Sequence, residues 1–202
     1  LSLHDALPIL TLIVVDCQHD FLEGGSLEVK GGLKAVENIC KLIMSGKVGH
    51  VIFTQDWHPV DHCSFAAQGG TWPSHCVRDT HGANIHPDLL RAVKQMNVFA
   101  EFLHKGKDQN REEYTAFEHL HDYTDYHAYH AASAKTKKPE VMAFGKKEHV
   151  VVCGIAGDVC VLNTLKSLRP MHPAVFIKGT ASLDGGQALC GYIREQGLQE
   201  EE

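Results

Sequence analysis

Asp56, His58, His62 and His75 place one carboxylate and three imidazoles within 20 residues, just behind the apolar run Val51-Ile52-Phe53. Such a set suits a borderline divalent cation such as zinc, iron(II) or manganese, and ligand types alone do not choose among them. Asp56 and His58 are two residues apart, so at the end of a strand their side chains point the same way. A histidine-rich surface loop would present the same spacing, because the chain holds 15 histidines. By spacing alone the metal and the plain loop are equally good readings.

Cys160 offers a second kind of chemistry. Among the seven cysteines it is the one that follows a Gly-rich turn, Gly154-Ile155-Ala156-Gly157-Asp158-Val159, at the carboxyl end of an apolar strand. A thiol at the start of a helix feels the positive end of the dipole and free backbone N–H groups, which favour thiolate and make an oxyanion site. A buried, inert cysteine is the commoner fate of such a residue, and Cys153, inside the strand, fits it. Asp16 ends the run Ile9-Leu10-Thr11-Leu12-Ile13-Val14-Val15, and Lys107 closely follows Val98 to Leu103. If both runs are strands of one sheet, Asp16, Lys107 and Cys160 converge on one edge. The carboxylate then accepts the thiol proton and the ammonium holds the anions. For an isolated residue, a turn cap (Asp16) or a solvated lysine (Lys107) is the usual role.

These groups need a scaffold, and the sequence supplies one. Continuously apolar, β-branched runs at Ile9 to Val15, His50 to Thr54, Val98 to Leu103, His149 to Cys153 and Ala174 to Ile177 read as strands buried on both faces. Helical spacing follows Gly31-Gly32 (Val36, Ile39, Cys40, Ile43), recurs after Cys160 (Val161, Leu162, Leu165, Leu168) and predicts a last helix from Asp184 to Glu195. Strands alternating with helices predict an α/β fold, a three-layer α-β-α arrangement around a mostly parallel, Rossmann-like sheet. Ligands of such sheets bind beyond the carboxyl ends of the strands. Glu112 to Lys138, polar and rich in His and Tyr, reads as a short helix followed by a peripheral loop containing Lys135-Thr136-Lys137-Lys138-Pro139.

A chain of 202 residues fits one domain, assigned to 9–197, with residues 1–8 and 198–202 as tails of no role. A net charge of −6 offers no basic face for nucleic acid and no polybasic membrane patch, so the expected partner is a small molecule. The apolar runs are too short to span a bilayer, no leader pattern opens the chain, and the odd cysteine count is no secreted disulfide framework. The expectation is a cytoplasmic protein with reduced thiols; a homo-oligomer is left open.

Five segments carry a resemblance: Ile13 to Phe21, Thr54 to Pro59, Asp61 to Phe65, Trp72 to Val77 and Cys153 to Val161. Together, in this order and over about Ile9 to Ser182, they resemble the nicotinamidases of the isochorismatase-like hydrolase superfamily. The resemblance implies that Cys160 attacks the carboxamide of nicotinamide. Asp16 would be proton acceptor and later donor, and Lys107 would complete the triad. It further implies an oxyanion hole from the Ala156 and Cys160 amides, with a cis peptide before Ala156. Phe21, Trp72 and Tyr114 would line the substrate pocket. A divalent metal, zinc first and iron or manganese as alternatives, would be held by Asp56, His58 and His75 and grip the pyridine nitrogen. His62 matches a histidine that ligates in some members and not in others.

The chain departs from the family at three places. Gly157 stands where threonine is usual, the insertion after Phe117 is long, and Gln and Glu replace the last strand after Gly197. The rival readings are another cysteine amidohydrolase of the superfamily, acting on a ureido or carbamoyl group, and a non-catalytic metal-binding protein of this fold.

Overall fold

The computed structural model describes residues 10–131 and 140–202. Residues 1–9, with the start of the first predicted strand, and the predicted loop tract 135–139 lie outside the described residues.

Strand β1 (Leu10–Val15) is buried along its whole length. Successive side chains of a strand point to opposite faces, so Leu12 and Val14 enter one apolar cluster while Ile13 and Val15 enter the other. This is why the run is continuously apolar rather than alternating: β1 lies at the centre of a sheet covered on both sides. Its neighbours are β2 (Val48–Asp56) and β7 (Val150–Ile155), flanked in turn by β3 (Phe99–Lys105) and β8 (Ala174–Ala181). The order is β3-β2-β1-β7-β8, and all four pairings are parallel.

Helices α1 (Gly32–Met44) and α2 (Pro87–Met96) cover one face, with Val36, Ile39, Ile43, Leu89 and Val93 in its cluster. Helices α3 (Leu162–Ser167) and α4 (Gln187–Gln196) cover the other through Leu165, Leu168, Leu189 and Ile193. The α-β-α layering predicted from the sequence is therefore present. No helix among the described residues is long and apolar enough to cross a membrane.

Two stretches differ from the sequence reading. The region after Tyr114 forms a second, antiparallel sheet of β4 (Phe117–Asp122), β5 (Tyr126–Ala131) and β6 (Glu140–Gly145) instead of a helix and a loop. Its inner face sends Phe117, Tyr129, Ala131 and Phe144 into the cluster shared with α3 and α4. An irregularity between Glu118 and Leu120 breaks the two-residue alternation that would have marked β4. Beyond Gly197 the chain, read as a tail without a role, makes a parallel bridge from Glu200 to Val175 of β8. The Val175 amide donates to Gln199 O and the Glu201 amide donates to Val175 O.

Candidate active site and metal centre

The strand register brings the chemistry together. Val15 lies opposite Thr54 on one side and Gly154 on the other, and Asp56 lies opposite Lys105. Asp16, just past β1, turns the chain with φ of 48°, a left-handed conformation that Asp tolerates better than most residues. Its side chain is fully buried, and Thr54 Oγ1 donates a 2.6 Å hydrogen bond to Asp16 Oδ1.

Lys105, the last residue of β3, is the lysine of this cluster. It is 1% exposed, with Nζ 2.8 Å from Asp16 Oδ2, 3.5 Å from Cys160 Sγ, and bonded to Asp56 Oδ1. Lys107, expected in this position, lies two residues outside the cluster. It is partly exposed on the loop beyond β3 and feels the carboxylates of Glu113 and Glu140. The reason is register: Lys105, the buried last residue of β3, lies opposite Asp56, and the strand ends before residue 107.

Cys160 sits in a π-helical turn, Gly157–Val161, between β7 and α3. Its Sγ and one carboxylate oxygen each of Asp16 and Asp56 lie within 4.8 Å of one another. Burial pushes the Cys160 thiol well above its usual pKa. Lys105 pulls it down, and Asp16 and Asp56 push it up again. Burial and the two carboxylates thus outweigh the one ammonium and work against the thiolate that a helix start favours. Asp16 is likewise raised, by burial first, against the pull of Lys105. Burial works against the Lys105 charge, but Asp16, Asp56 and Cys160 overcome it and hold the ammonium protonated.

The peptide Ile155-Ala156 is cis, as the resemblance implied. The Ala156 carbonyl accepts from the amides of Val159 and Val161, closing the turn around Cys160. A Cβ at Gly157 would lie 2.1 Å from Ser182 Oγ. The serine hydroxyl thus occupies the space beside the glycine.

Asp56, His58 and His75 form the adjoining cluster, their ligand atoms all within 4.8 Å of one another. Asp56 Oδ1 is taken by Lys105, while Oδ2 lies 3.6 Å from His58 Nε2 and 3.8 Å from His75 Nε2. Nδ1 of His58 is 2.9 Å from Gly106 O, and Nδ1 of His75 is 2.7 Å from Pro73 O. A carbonyl can only accept, so each Nδ1 carries a proton, and each Nε2 faces Asp56, where it can coordinate once unprotonated. One carboxylate oxygen and two imidazole lone pairs converging on a buried point fit a divalent metal. Gly106 is required here: a Cβ at this position would lie 2.3 Å from the His58 ring, and its φ is 61°. The Gln18 amide fixes Asp56 from behind, its Nε2 donating to Asp56 O (2.7 Å) and its Oε1 accepting from the Asp56 amide (2.8 Å).

His62 stands beside this cluster rather than in it. Its ring stacks on His58 with centroids 4.0 Å apart, Nδ1 pairs with Ser64 Oγ at 2.7 Å and Nε2 donates to Arg111 O at 3.0 Å. Both nitrogens are hydrogen-bonded. Four residues that were not singled out in the sequence, Gln18, Thr54, Lys105 and Gly106, thus position the site. The signal for Lys105 was ambiguous, since Lys105 and Lys107 share the two-residue parity of Leu103. Gln18 and Thr54 carried none, since their role depends on which strands pair.

A pocket of about 390 Å³, open solvent at its mouth included, leads to Cys160. Phe21, Trp72 and Tyr114 all line it, as expected, together with Ala156, Asp56 and His75. Phe21 packs against the His75 ring with centroids 5.4 Å apart, and the Trp72 and Tyr114 side chains are hydrogen-bonded to each other.

An α-β-α fold with a buried cysteine, carboxylate and lysine at its strand ends places the protein among the isochorismatase-like hydrolases. The chain belongs to this family, as the Isochorismatase domain matches residues 11–170. Within it the chain is similar to nicotinamidases. It is 31% identical over 176 residues to the nicotinamidase of Escherichia coli strain K12, a match covering 79% of this chain and 76% of the relative. The structure of PnC1 from L. infantum in complex with nicotinate is 28% identical, with a TM-score of 0.74 over 98% of this chain and 94% of that one. The pyrazinamidase of Pyrococcus horikoshii in complex with zinc is 25% identical, with a TM-score of 0.69 over 96% and 99% of the two chains.

Proposed function

We propose that this protein is a nicotinamidase that hydrolyses nicotinamide to nicotinate and ammonia within NAD salvage, through a single domain that takes in the segment around Glu200 paired with β8. The observation that carries the reading is Lys105, which ties the Asp16–Cys160 pair to the Asp56–His58–His75 centre in one buried cluster. A nucleophile and a ring anchor side by side suit a small aromatic amide.

In the proposed reaction Phe21, Trp72 and Tyr114 hold the flat ring so that the carboxamide carbon meets Cys160 Sγ. Asp16 takes the thiol proton as sulfur attacks, so charge moves from sulfur to the amide oxygen while the proton stays within the cluster. The amides of Ala156 and Cys160 receive the oxyanion; one such donor is typically worth about 100- to 1,000-fold in rate. Asp16 returns the proton to the departing nitrogen, ammonia leaves and a thioester remains. Water deprotonated by Asp16 then attacks the thioester, releasing nicotinate and restoring the thiol. Lys105 stays protonated throughout and steadies whichever of Asp16 or Cys160 is anionic.

Asp56, His58 and His75 would hold the metal, which when bound supplies a Lewis-acidic anchor for the pyridine nitrogen. Zinc is the ion we propose, with iron(II) and manganese as tolerated substitutes, since the donor set is one carboxylate and two neutral imidazoles. Seven cysteines, all free, support a reducing compartment, the cytoplasm.

The test is ammonia release from nicotinamide by purified, zinc-loaded protein. Turnover that disappears in Cys160→Ala is expected. A folded, metal-loaded sample that binds nicotinamide without releasing ammonia refutes the proposal.

A further inference from the structure

The antiparallel sheet carries a histidine group that the proposed reaction leaves unused. His121 on β4 and His130 on β5 face each other with Nε2 atoms 2.8 Å apart and ring centroids 4.6 Å apart. His119 sets its ring edge-on to His130, with centroids 6.0 Å apart. His130 thus stands between two imidazoles of the adjacent strand. Its chain neighbours Tyr129 and Ala131 are buried in the core, so His130 projects from the opposite face of the sheet. His119 and His121 are exposed and His130 is half-buried.

Two Nε2 atoms at this distance either share one proton or turn both lone pairs toward a common cation. Nitrogens bound to one ion at about 2.0–2.1 Å stand about 2.9 Å apart at a right angle and about 3.4 Å apart at the tetrahedral angle. The observed 2.8 Å is a hydrogen-bond distance, and opening it by about 0.1 Å would admit an ion with its nitrogens at a right angle. Copper(II) and nickel(II) prefer tetragonal geometry with imidazole donors, and copper(II) heads the affinity series for divalent ions. The carboxylates nearby are already committed, Glu118 to Arg111 and Asp122 to Lys146 and His127. That leaves an all-nitrogen donor set, open to water, unlike the carboxylate-containing buried centre.

We propose that His121 and His130 form a second metal site on the surface of the small sheet, one that takes copper(II) ahead of nickel(II) and zinc(II).

The test compares the full-length chain with the His121→Gln/His130→Gln double variant, each titrated with copper(II) sulfate in a non-chelating buffer. Equilibrium dialysis counts the bound ions and electron paramagnetic resonance reads their ligands. The wild type is expected to bind one more copper(II) per chain than the variant, with a tetragonal signal split by nitrogen. Ammonia release by the zinc-loaded protein should be the same in both chains. Equal copper counts, or an extra ion without nitrogen splitting, overturn the proposal. A readout on the wild type alone guards against misfolding of the variant: substoichiometric copper(II) should broaden the amide resonances of residues 119–121 and 129–131 first. Broadening centred elsewhere also overturns it.

Discussion

Replacing Lys105 by methionine keeps the length of a buried side chain and deletes its charge. In the wild type Nζ lies 2.8 Å from Asp16 Oδ2 and is bonded to Asp56 Oδ1. At an effective dielectric constant of about 20, an ion pair at 2.8 Å amounts to roughly 6 kcal/mol of Coulomb energy. Most of that offsets the cost of burying the charges, but deleting one partner strands the others, which costs about 3–5 kcal/mol. In a domain whose whole stability is about 5–15 kcal/mol, Lys105→Met should lower the urea midpoint by about 1–3 M for a slope near 2 kcal/mol/M. Nicotinamide turnover should fall by about 1,000-fold or more, as when one member of a catalytic unit is removed. Lys107→Met, in contrast, should shift stability by no more than about 0.5 kcal/mol and leave kcat/KM within about threefold. Urea unfolding and ammonia release on the two variants measure both effects. If Lys107→Met is inactive while Lys105→Met works normally, the assignment of the ammonium to β3 is wrong.

Two further perturbations probe the neighbouring groups. His58→Ala should lose the stoichiometric metal, whereas His62→Ala should retain one metal per chain with weaker affinity because the ring that stacks on His58 is gone; metal content after dialysis against a chelator gives the answer. The rate should also carry an acid limb from Asp16, which must be ionised to take the thiol proton. Burial raises its pKa, so kcat/KM should fall as pH drops through a value above the ordinary carboxylate range of about 4, and a profile flat down to pH 4 would contradict the role. Lys105 is held protonated, so no loss at alkaline pH is expected from it.

The central sheet was legible because β1, β2 and β7 are buried on both faces and announce themselves as unbroken apolar runs. The Asp56, His58 and His75 cluster and the turn carrying Cys160 were legible because each occupies a short stretch of sequence. Lys105 was not, because two lysines flank Gly106 and only the register between Asp56 and β3 decides which faces inward. His62 has the same residue type as the ligands, and its place beside His58 depends on Ser64 and Arg111 capturing its nitrogens. The small sheet was missed for a different reason. β4 and β6 are largely exposed, and the irregularity in β4 erases the alternation just where it should begin. The upward shift of the Cys160 thiol also lay beyond the sequence, since the burial that causes it comes from residues distant in the chain.

The strand order has a consequence for how the protein is made. β1 pairs with β7, Ile13 opposite Val152, so its second neighbour arrives only after most of the chain has been synthesised. Closing so long a loop costs little more entropy than closing one half as long, yet non-local parallel pairing slows the search for the native topology. Asp16, Lys105 and Cys160 come from three strand ends that no shorter fragment brings together. Truncated or nascent chains that lack β7 should therefore possess no hydrolytic activity, and the metal, by binding the folded chain, should favour the folded state by mass action.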